Sequence, residues 1–382
     1  MQGPMVDKSR IRKILVIKLR NIGDVLLSAP LFDNLKLAFP GARISALVNA
    51  GTQEMLTGNP ALEQVMVYDR SIKKAPVLRR LGGELAFYRR VRRERFDLVL
   101  NLTEGDRGAL VALFSGARLR LGLDPMNRGL AGKRRYYTHL LPRDVEGKLH
   151  AVEKNLVFLA PLGLEPVRKR VSFWFSELDR GRVTTLLAAH ALAPGGFFHA
   201  HVTSRWMFKA LPHAKAAYLL DRLSGQSGLP MVLTCAPEQK ELDYLAALRP
   251  LLRQPFADLS GALSLKQLGA LSASARFFAG VDSAPMHMAA ALDVPTLGIF
   301  GPSSVPEWGP WDNALQENPY RNRNGVQQSG RHLVLQGASP CVPCYRDGCN
   351  GSKVSDCLDF PEQELDSAAT LFLGSLGCEG GR

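Results

Sequence analysis

The chain has 382 residues, 46% hydrophobic and 22% charged. That composition is ordinary for a globular protein and excludes disorder and collagen-like repeats, while the length suggests two or three domains. Lys and Arg total 48 against 35 Asp and Glu, a formal net charge of +13, which calls for an anionic partner: nucleic acid, anionic lipid or a phosphorylated substrate. No run approaches the roughly 18 apolar residues of a membrane span. Residues 1–12 lack the apolar stretch of a signal peptide, so the cytoplasm is the expected location.

Residues 13–19 form a short apolar run without helical period. It ends at the Gly-containing turn Arg20-Asn-Ile-Gly-Asp24, the pattern of a buried strand feeding a helix. Residues 25–39 read as helical, and Pro30 means that this helix either kinks or begins near Ala29. Further strands are expected at 44–48, 65–68, 98–102 and 119–121. Between Arg70 and Arg95 ten Lys and Arg stand against Glu84 and Glu94, a local excess of 10 − 2 = +8. Such a run is read either as a solvated helix face or as a contact for anions.

The second half alternates more cleanly. Strands are expected at 197–202, 230–235, 277–281 and 296–300, and helices at 215–223, 238–252, 265–273 and 285–292. Ala193-Pro-Gly-Gly196 is the best linker. The fold class is α/β, with two Rossmann-like domains (1–192 and 193–358) facing a cleft, and a C-terminal helix and tail (359–382) that could pack back on the first domain. In open α/β sheets ligands bind beyond the carboxyl ends of the strands, so the loops at those ends carry the functional reading.

Val281-Asp-Ser-Ala-Pro-Met-His287 ends a strand and opens a helix, with Pro285 where a first turn tolerates it. Asp282 or Ser283 could cap that helix. Its unpaired N–H groups and dipole suit a pyrophosphate, and His287 falls in its first turn; an ordinary capped helix is the structural alternative. The next strand ends in Phe300-Gly-Pro-Ser-Ser304, where Gly permits close approach to phosphate, followed by Trp308-Gly-Pro-Trp311. In His201-Val-Thr-Ser-Arg-Trp-Met-Phe-Lys209 a strand delivers two hydroxyls, Thr203 and Ser204, and two cations, Arg205 and Lys209. These suit a diphosphate or, equally, a surface loop. Asp24 is either a helix N-cap or a general base projecting from the first loop. Cys341, Cys344, Cys349 and Cys357, spaced C-x2-C-x4-C-x7-C, are read as free thiols, as a structural zinc site or as redox-active cysteines.

Together these segments resemble glycosyltransferase family 9, the heptosyltransferases of the lipopolysaccharide core. The motifs that carry the resemblance are Ile-Lys-Leu-Arg-Asn-Ile-Gly-Asp-Val near the start, Thr203-Ser204-Arg205 with Lys209, Gly280-Val-Asp-Ser-Ala-Pro-Met-His-Met-Ala-Ala-Ala, and Phe300-Gly-Pro-Ser with Trp308-Gly-Pro-Trp311. Cys344-Tyr-Arg-Asp-Gly-Cys-Asn-Gly-Ser-Lys-Val-Ser-Asp-Cys-Leu358 resembles the heptosyltransferase III branch.

The resemblance implies a GT-B fold, an ADP-L-glycero-D-manno-heptose donor, an acceptor in the heptose region of the inner core, and inverting transfer with no required cofactor. It implies Asp24 as the base. It places Thr203, Ser204, Arg205, Lys209, Leu263, Asp282, Ser283, Ala284 and His287 at the donor, with Glu238 or Glu241 at the ADP ribose. Lys18, Arg20, Arg107 and Arg120 are acceptor candidates. The acceptor is then an anionic lipid-linked saccharide at the inner face of the inner membrane. Peripheral membrane contact is implied as well, and residues 79–95 are the candidate for acceptor or membrane contact, since basic residues near such a surface contribute about 1 kcal/mol each. Rival readings are a glycosyltransferase with another nucleotide sugar or another core acceptor, a non-catalytic nucleotide-sugar sensor and a nucleic-acid-binding protein. The last leaves the polar strand-end loops unexplained, so no nucleic acid is expected as a partner.

Overall fold

The computed structural model describes residues 10–377 except Ala75, Val145, Glu146 and Lys148; the signal-peptide expectation for residues 1–12 falls largely outside this span. The chain divides into two compact units, residues 1–174 and 175–382.

The first unit runs β1 (Lys13–Lys18), α1 (Ile22–Leu26), α2 (Ala29–Ala38), β2 (Arg43–Asn49), β3 (Gln64–Tyr68), α3 (Val77–Arg93), β4 (Leu98–Asn101), α4 (Asp106–Ser115), β5 (Leu119–Leu123), β6 (His139–Leu141) and α5 (Ala151–Leu156). Its sheet has the order β3-β2-β1-β4-β5-β6, with every pair parallel. Ile14, Leu15, Val16 and Ile17 are fully buried, as expected of a central parallel strand covered on both faces. Pro30 lies in the first turn of α2, so the helix starts at Ala29 instead of kinking.

The second unit runs α6 (Glu177–Ala189), β7 (Phe198–His201), α7 (His213–Ser227), β8 (Met231–Leu233), α8 (Gln239–Leu248), β9 (Phe256–Asp258), α9 (Leu265–Ser274), β10 (Phe278–Val281), α10 (Ala284–Ala291), β11 (Thr296–Phe300), α11 (Val305–Trp308), β12 (Gly325–Ser329), β13 (His332–Gln336) and α12 (Glu362–Gly377). Its sheet is ordered β12-β13-β11-β10-β7-β8-β9. All pairs are parallel except the β12–β13 hairpin. Each sheet therefore starts at a central strand, runs outward one way and resumes on the other side. This creates a topological switch point between β1 and β4 and another between β7 and β10.

Two boundaries differ from the sequence reading. The division falls after Trp174, not after residue 192. A capping box starts α6: Ser176 Oγ accepts from Asp179 N (3.2 Å), and the Asp179 carboxylate accepts from Ser176 N (2.9 Å). Val183 and Leu187 of that helix pack with Phe197, Ala270 and Leu271 of the second unit. The Pro-Gly turn at 194–196 is thus internal to that unit. The C-terminal helix α12 packs on α7 of its own unit. Leu365, Ala368, Ala369 and Phe372 are buried there, and Asp366 accepts from Arg222 Nε (2.6 Å) and Tyr218 Oη (2.9 Å). Among the described residues no helix is long and apolar enough to cross a membrane.

Candidate active site

In the second unit the loops after β7 and β10 are neighbours because those strands pair. Gly280 makes the pairing possible, since a Cβ there would run into the His201 carbonyl. The loops are joined by Lys209, whose Nζ donates to Asp282 Oδ2 at 2.5 Å. Asp282 is almost fully buried. Burial alone would raise its carboxyl, but the Lys209 and His287 charges and the bonds from Lys209 and Ser303 outweigh this and hold it below the usual range. Ser283 is the N-cap of α10 and makes no side-chain cap bond. Its buried Oγ has no hydrogen-bond partner among the described residues. With Pro285 in the first turn, the opening amides of α10 point past the end of β10 with no intrahelical acceptor. Ala284 begins this helix and His287 lies one turn in, its ring 6.5 Å from that of Trp308. Ser303 and Ser304, buried after β11, close the same edge.

On the other side of β7, Thr203 Oγ1 donates to Glu241 Oε2 at 2.8 Å, and Ala236 N donates to the same oxygen at 3.3 Å. Glu241 is buried. It therefore ties the β7 loop to the β8 loop, and Thr203 spends its hydroxyl proton there. Glu238, the N-cap of α8, is the exposed one of the two glutamates. Ser204 Oγ accepts from Trp206 N (3.2 Å). Arg205 is exposed and lies over the Trp206 ring (5.5 Å to the centroid). Leu263 is half-buried on the β9–α9 loop, packed against the core. Beneath the site sits a polar stack that sequence reasoning missed. His199 bonds Ser272 Oγ (2.9 Å) and Thr234 Oγ1 (2.7 Å), and His201 bonds Thr234 Oγ1 (2.8 Å). Burial pushes His201 down to about 4 and His199 well below its ordinary value, so both rings are neutral spacers.

In the first unit, Asp24 lies in the first turn of α1 and Asn21 is the N-cap, which removes the capping reading. Asp24 is half-buried, and Lys18 supplies charge nearby. Lys18 itself is buried, its Nζ donating to Asn155 Oδ1 at 2.9 Å. Burial pushes its ammonium down to about 8 against the pull of Asp24, with Arg20 and Lys154 adding to the fall. As an acceptor contact Lys18 is therefore corrected: it faces the interior. Arg120 is corrected likewise, because its guanidinium donates to the carbonyls of Tyr136 (2.7 Å) and Ala117 (2.5 Å).

Arg20 and Arg107 do come together. They line a cavity of about 430 Å³ with Asn49, Tyr68, Arg70, Thr103 and the start of α4, at the β1/β4 switch point. Arg107 is held by both Glu84 oxygens (2.6 and 2.7 Å) and lies 4.2 Å from the Tyr68 ring centroid. Arg70 Nε donates to Asn49 Oδ1 (2.9 Å). Gly108 lets the loop close in, since a Cβ there would stand 2.5 Å from Thr103 Oγ1. Sequence reasoning did not pick out Asn49, Tyr68 and Arg70 as site residues, although Asn49 and Arg70 follow the strands expected at 44–48 and 65–68 and Tyr68 ends the second.

Cys341, Cys344, Cys349 and Cys357 are free thiols around one cavity of about 150 Å³. Burial, reinforced by the other three cysteines, pushes Cys357 up to about 12. Among the described residues no group of three or more His, Cys, Asp or Glu is arranged to hold a metal ion, so the zinc reading gains no support.

Residues 84–331 match the model of glycosyltransferase family 9 (heptosyltransferase). The chain is 31% identical over 327 residues to lipopolysaccharide heptosyltransferase 3 of Escherichia coli, covering 84% of this chain and 93% of that protein. Among solved structures it resembles a family 9 glycosyltransferase from Veillonella parvula (TM-score 0.78, 20% identity, 95% and 97% coverage). It also resembles E. coli ADP-heptose lipopolysaccharide heptosyltransferase II (TM-score 0.69, 20% identity, 97% and 100% coverage).

Proposed function

The chain belongs to glycosyltransferase family 9, the heptosyltransferases, and from that premise we propose that it moves L-glycero-D-manno-heptose from ADP-heptose to a heptose of the lipopolysaccharide inner core. It is an ADP-heptose-dependent glycosyltransferase of GT-B fold. The observation that carries the finer reading is the uncapped start of α10 beside the Lys209–Asp282 pair. That arrangement is largely buried and rich in donors, as a leaving diphosphate requires.

In the proposed step the acceptor hydroxyl attacks the anomeric carbon, the bond to ADP breaks with its electron pair, and the centre inverts. Asp24 takes the hydroxyl proton. The α10 amides, Ser283 and Lys209 receive the diphosphate, Arg205 closes over it, and Glu238 bonds the ribose. Arg20, Arg70 and Arg107 hold the anionic acceptor in the first unit. No metal takes part. The enzyme works as a peripheral protein on the cytoplasmic face of the inner membrane, where a lipid-linked acceptor would lie.

Mass spectrometry of a core acceptor incubated with ADP-heptose tests this. The expected product carries one added heptose, forms equally in EDTA, and fails to form on an acceptor lacking the second heptose. Preference for a UDP- or GDP-sugar, or activity abolished by EDTA and restored by Mg²⁺, would contradict the reading.

A further inference from the structure

Among the described residues the outer face of α3 has no partner in its own unit. Leu78, Leu81 and Leu85 are 86%, 61% and 49% exposed, and Val77 is 70% exposed. The three leucines are spaced three and four residues apart, so they form one stripe. Single exposed apolar side chains are common, but a contiguous set marks an interaction surface.

The helix is already anchored by its other face. Val91 is buried, Phe87 packs edge-on to Tyr68 (5.2 Å between centroids), and Glu84 is held by Arg107 and Tyr68. The stripe is therefore not a piece of unfinished core. It continues onto α4 through Tyr88, whose ring is 4.8 Å from that of Phe114, itself 48% exposed.

Charge selects the partner. The helix carries six arginines and one acidic residue, and that acid, Glu84, is turned inward. The exposed charge on α3 is therefore wholly positive, with Arg79, Arg80, Arg89 and Arg90 among the exposed residues. A second copy docking through this face by two-fold symmetry would set arginine against arginine. A surface of lipid phosphates complements it, and a basic helix with an apolar edge is the form that lies in a bilayer interface.

We propose that the outer face of α3 docks on an anionic lipid bilayer, the leucine stripe entering the headgroup–acyl boundary and the arginines meeting lipid phosphates. The inference deepens the proposed function by giving its membrane contact a location. It can fail separately, because vesicle binding is measured without acceptor or donor.

The test is sedimentation of the full chain with phosphatidylcholine vesicles with and without phosphatidylglycerol. The native chain should partition onto the anionic vesicles only. The Leu78→Gln/Leu81→Gln/Leu85→Gln variant should partition at least about tenfold less, with its melting temperature unchanged because these side chains are solvent-exposed. Its transfer to a delipidated soluble acceptor should stay within about twofold of native. A Leu81→Trp probe should shift its fluorescence to the blue on anionic vesicles. No partition by the native chain, equal partition by the triple variant, or a solution dimer that the triple variant abolishes would overturn the proposal.

Discussion

The two sheets share one winding, yet their switch points differ. Around β7 the loops are interlocked: Lys209 is bonded to Asp282 on the β10 side, Thr203 to Glu241 on the β8 side, and two neutral histidines lie beneath. Between β1 and β4 the corresponding place is an open cavity of about 430 Å³ lined by arginines. A nucleotide diphosphate is a fixed ligand, and a donor site for it can be rigid throughout. Under the proposed function an anionic saccharide needs room, and around this cavity Glu84 and Tyr68 hold the Arg107 guanidinium and Asn49 holds that of Arg70. On the proposed reading, the same topology would serve two chemistries through what fills the strand ends.

The sharpest way to break this division is Asp24→Asn. If the first unit supplies the base, transfer should fall by about 10²–10⁴-fold while ADP binding by calorimetry stays unchanged. Persistent transfer would move the base elsewhere.

Next in size, Lys209→Met should strand the buried Asp282 carboxylate. Breaking a buried pair costs about 3–5 kcal/mol, reduced here because Lys209 is one-fifth exposed. Both the melting temperature and ADP affinity should drop. Loss of stability with intact ADP affinity would make the pair purely structural.

On the acceptor side, Arg70→Ala should raise acceptor KM about tenfold, roughly 1.4 kcal/mol, and leave donor KM alone. The reverse pattern would exchange the roles assigned to the two units.

Proton linkage separates the units as well. His199 lies well below its ordinary value, and His201 lies at about 4, both through burial. Below about pH 6.5 the unfolded rings take protons that the folded ones refuse. The second unit should therefore lose stability as pH falls from about 6.5 towards 4. In the first unit Lys18 is at about 8, against an ordinary value near 10.4, so its contribution to stability should rise with pH over that interval. Hydrogen exchange resolved by unit checks both signs, and equal acid sensitivity of the two sheets would contradict them.

The smallest effect belongs to Arg120→Ala. It should lower the melting temperature slightly, at about 1 kcal/mol for its lost hydrogen bonds, and leave acceptor KM within about twofold. A large KM change would restore Arg120 to the acceptor site.

Much of this was legible in the order of residues. The apolar runs of β1 and β11, the break at Pro30, and the strand-turn-helix passages at 20–24 and 281–287 are local signals, and the structure follows them. What escaped reading depended on pairs distant in sequence. Glu241 could not be sorted from Glu238 without knowing that Thr203 lies above it, and nothing near Lys18 reveals Asn155. Some signals were available but outweighed. The Ser176–Asp179 capping box announced α6, yet the Pro-Gly turn at 194–196 drew the boundary past it. The leucine stripe of α3 was masked by its arginines, because a charged helix is first taken for a solvated one.

The most direct measurement is a crystal soaked with ADP. The expected result places the diphosphate within hydrogen-bond distance of the α10 amides at Met286 and His287 and of Lys209 Nζ, with the ribose at Glu238. Phosphates bound instead among Arg20, Arg70 and Arg107 would contradict the assignment of donor and acceptor to the two units.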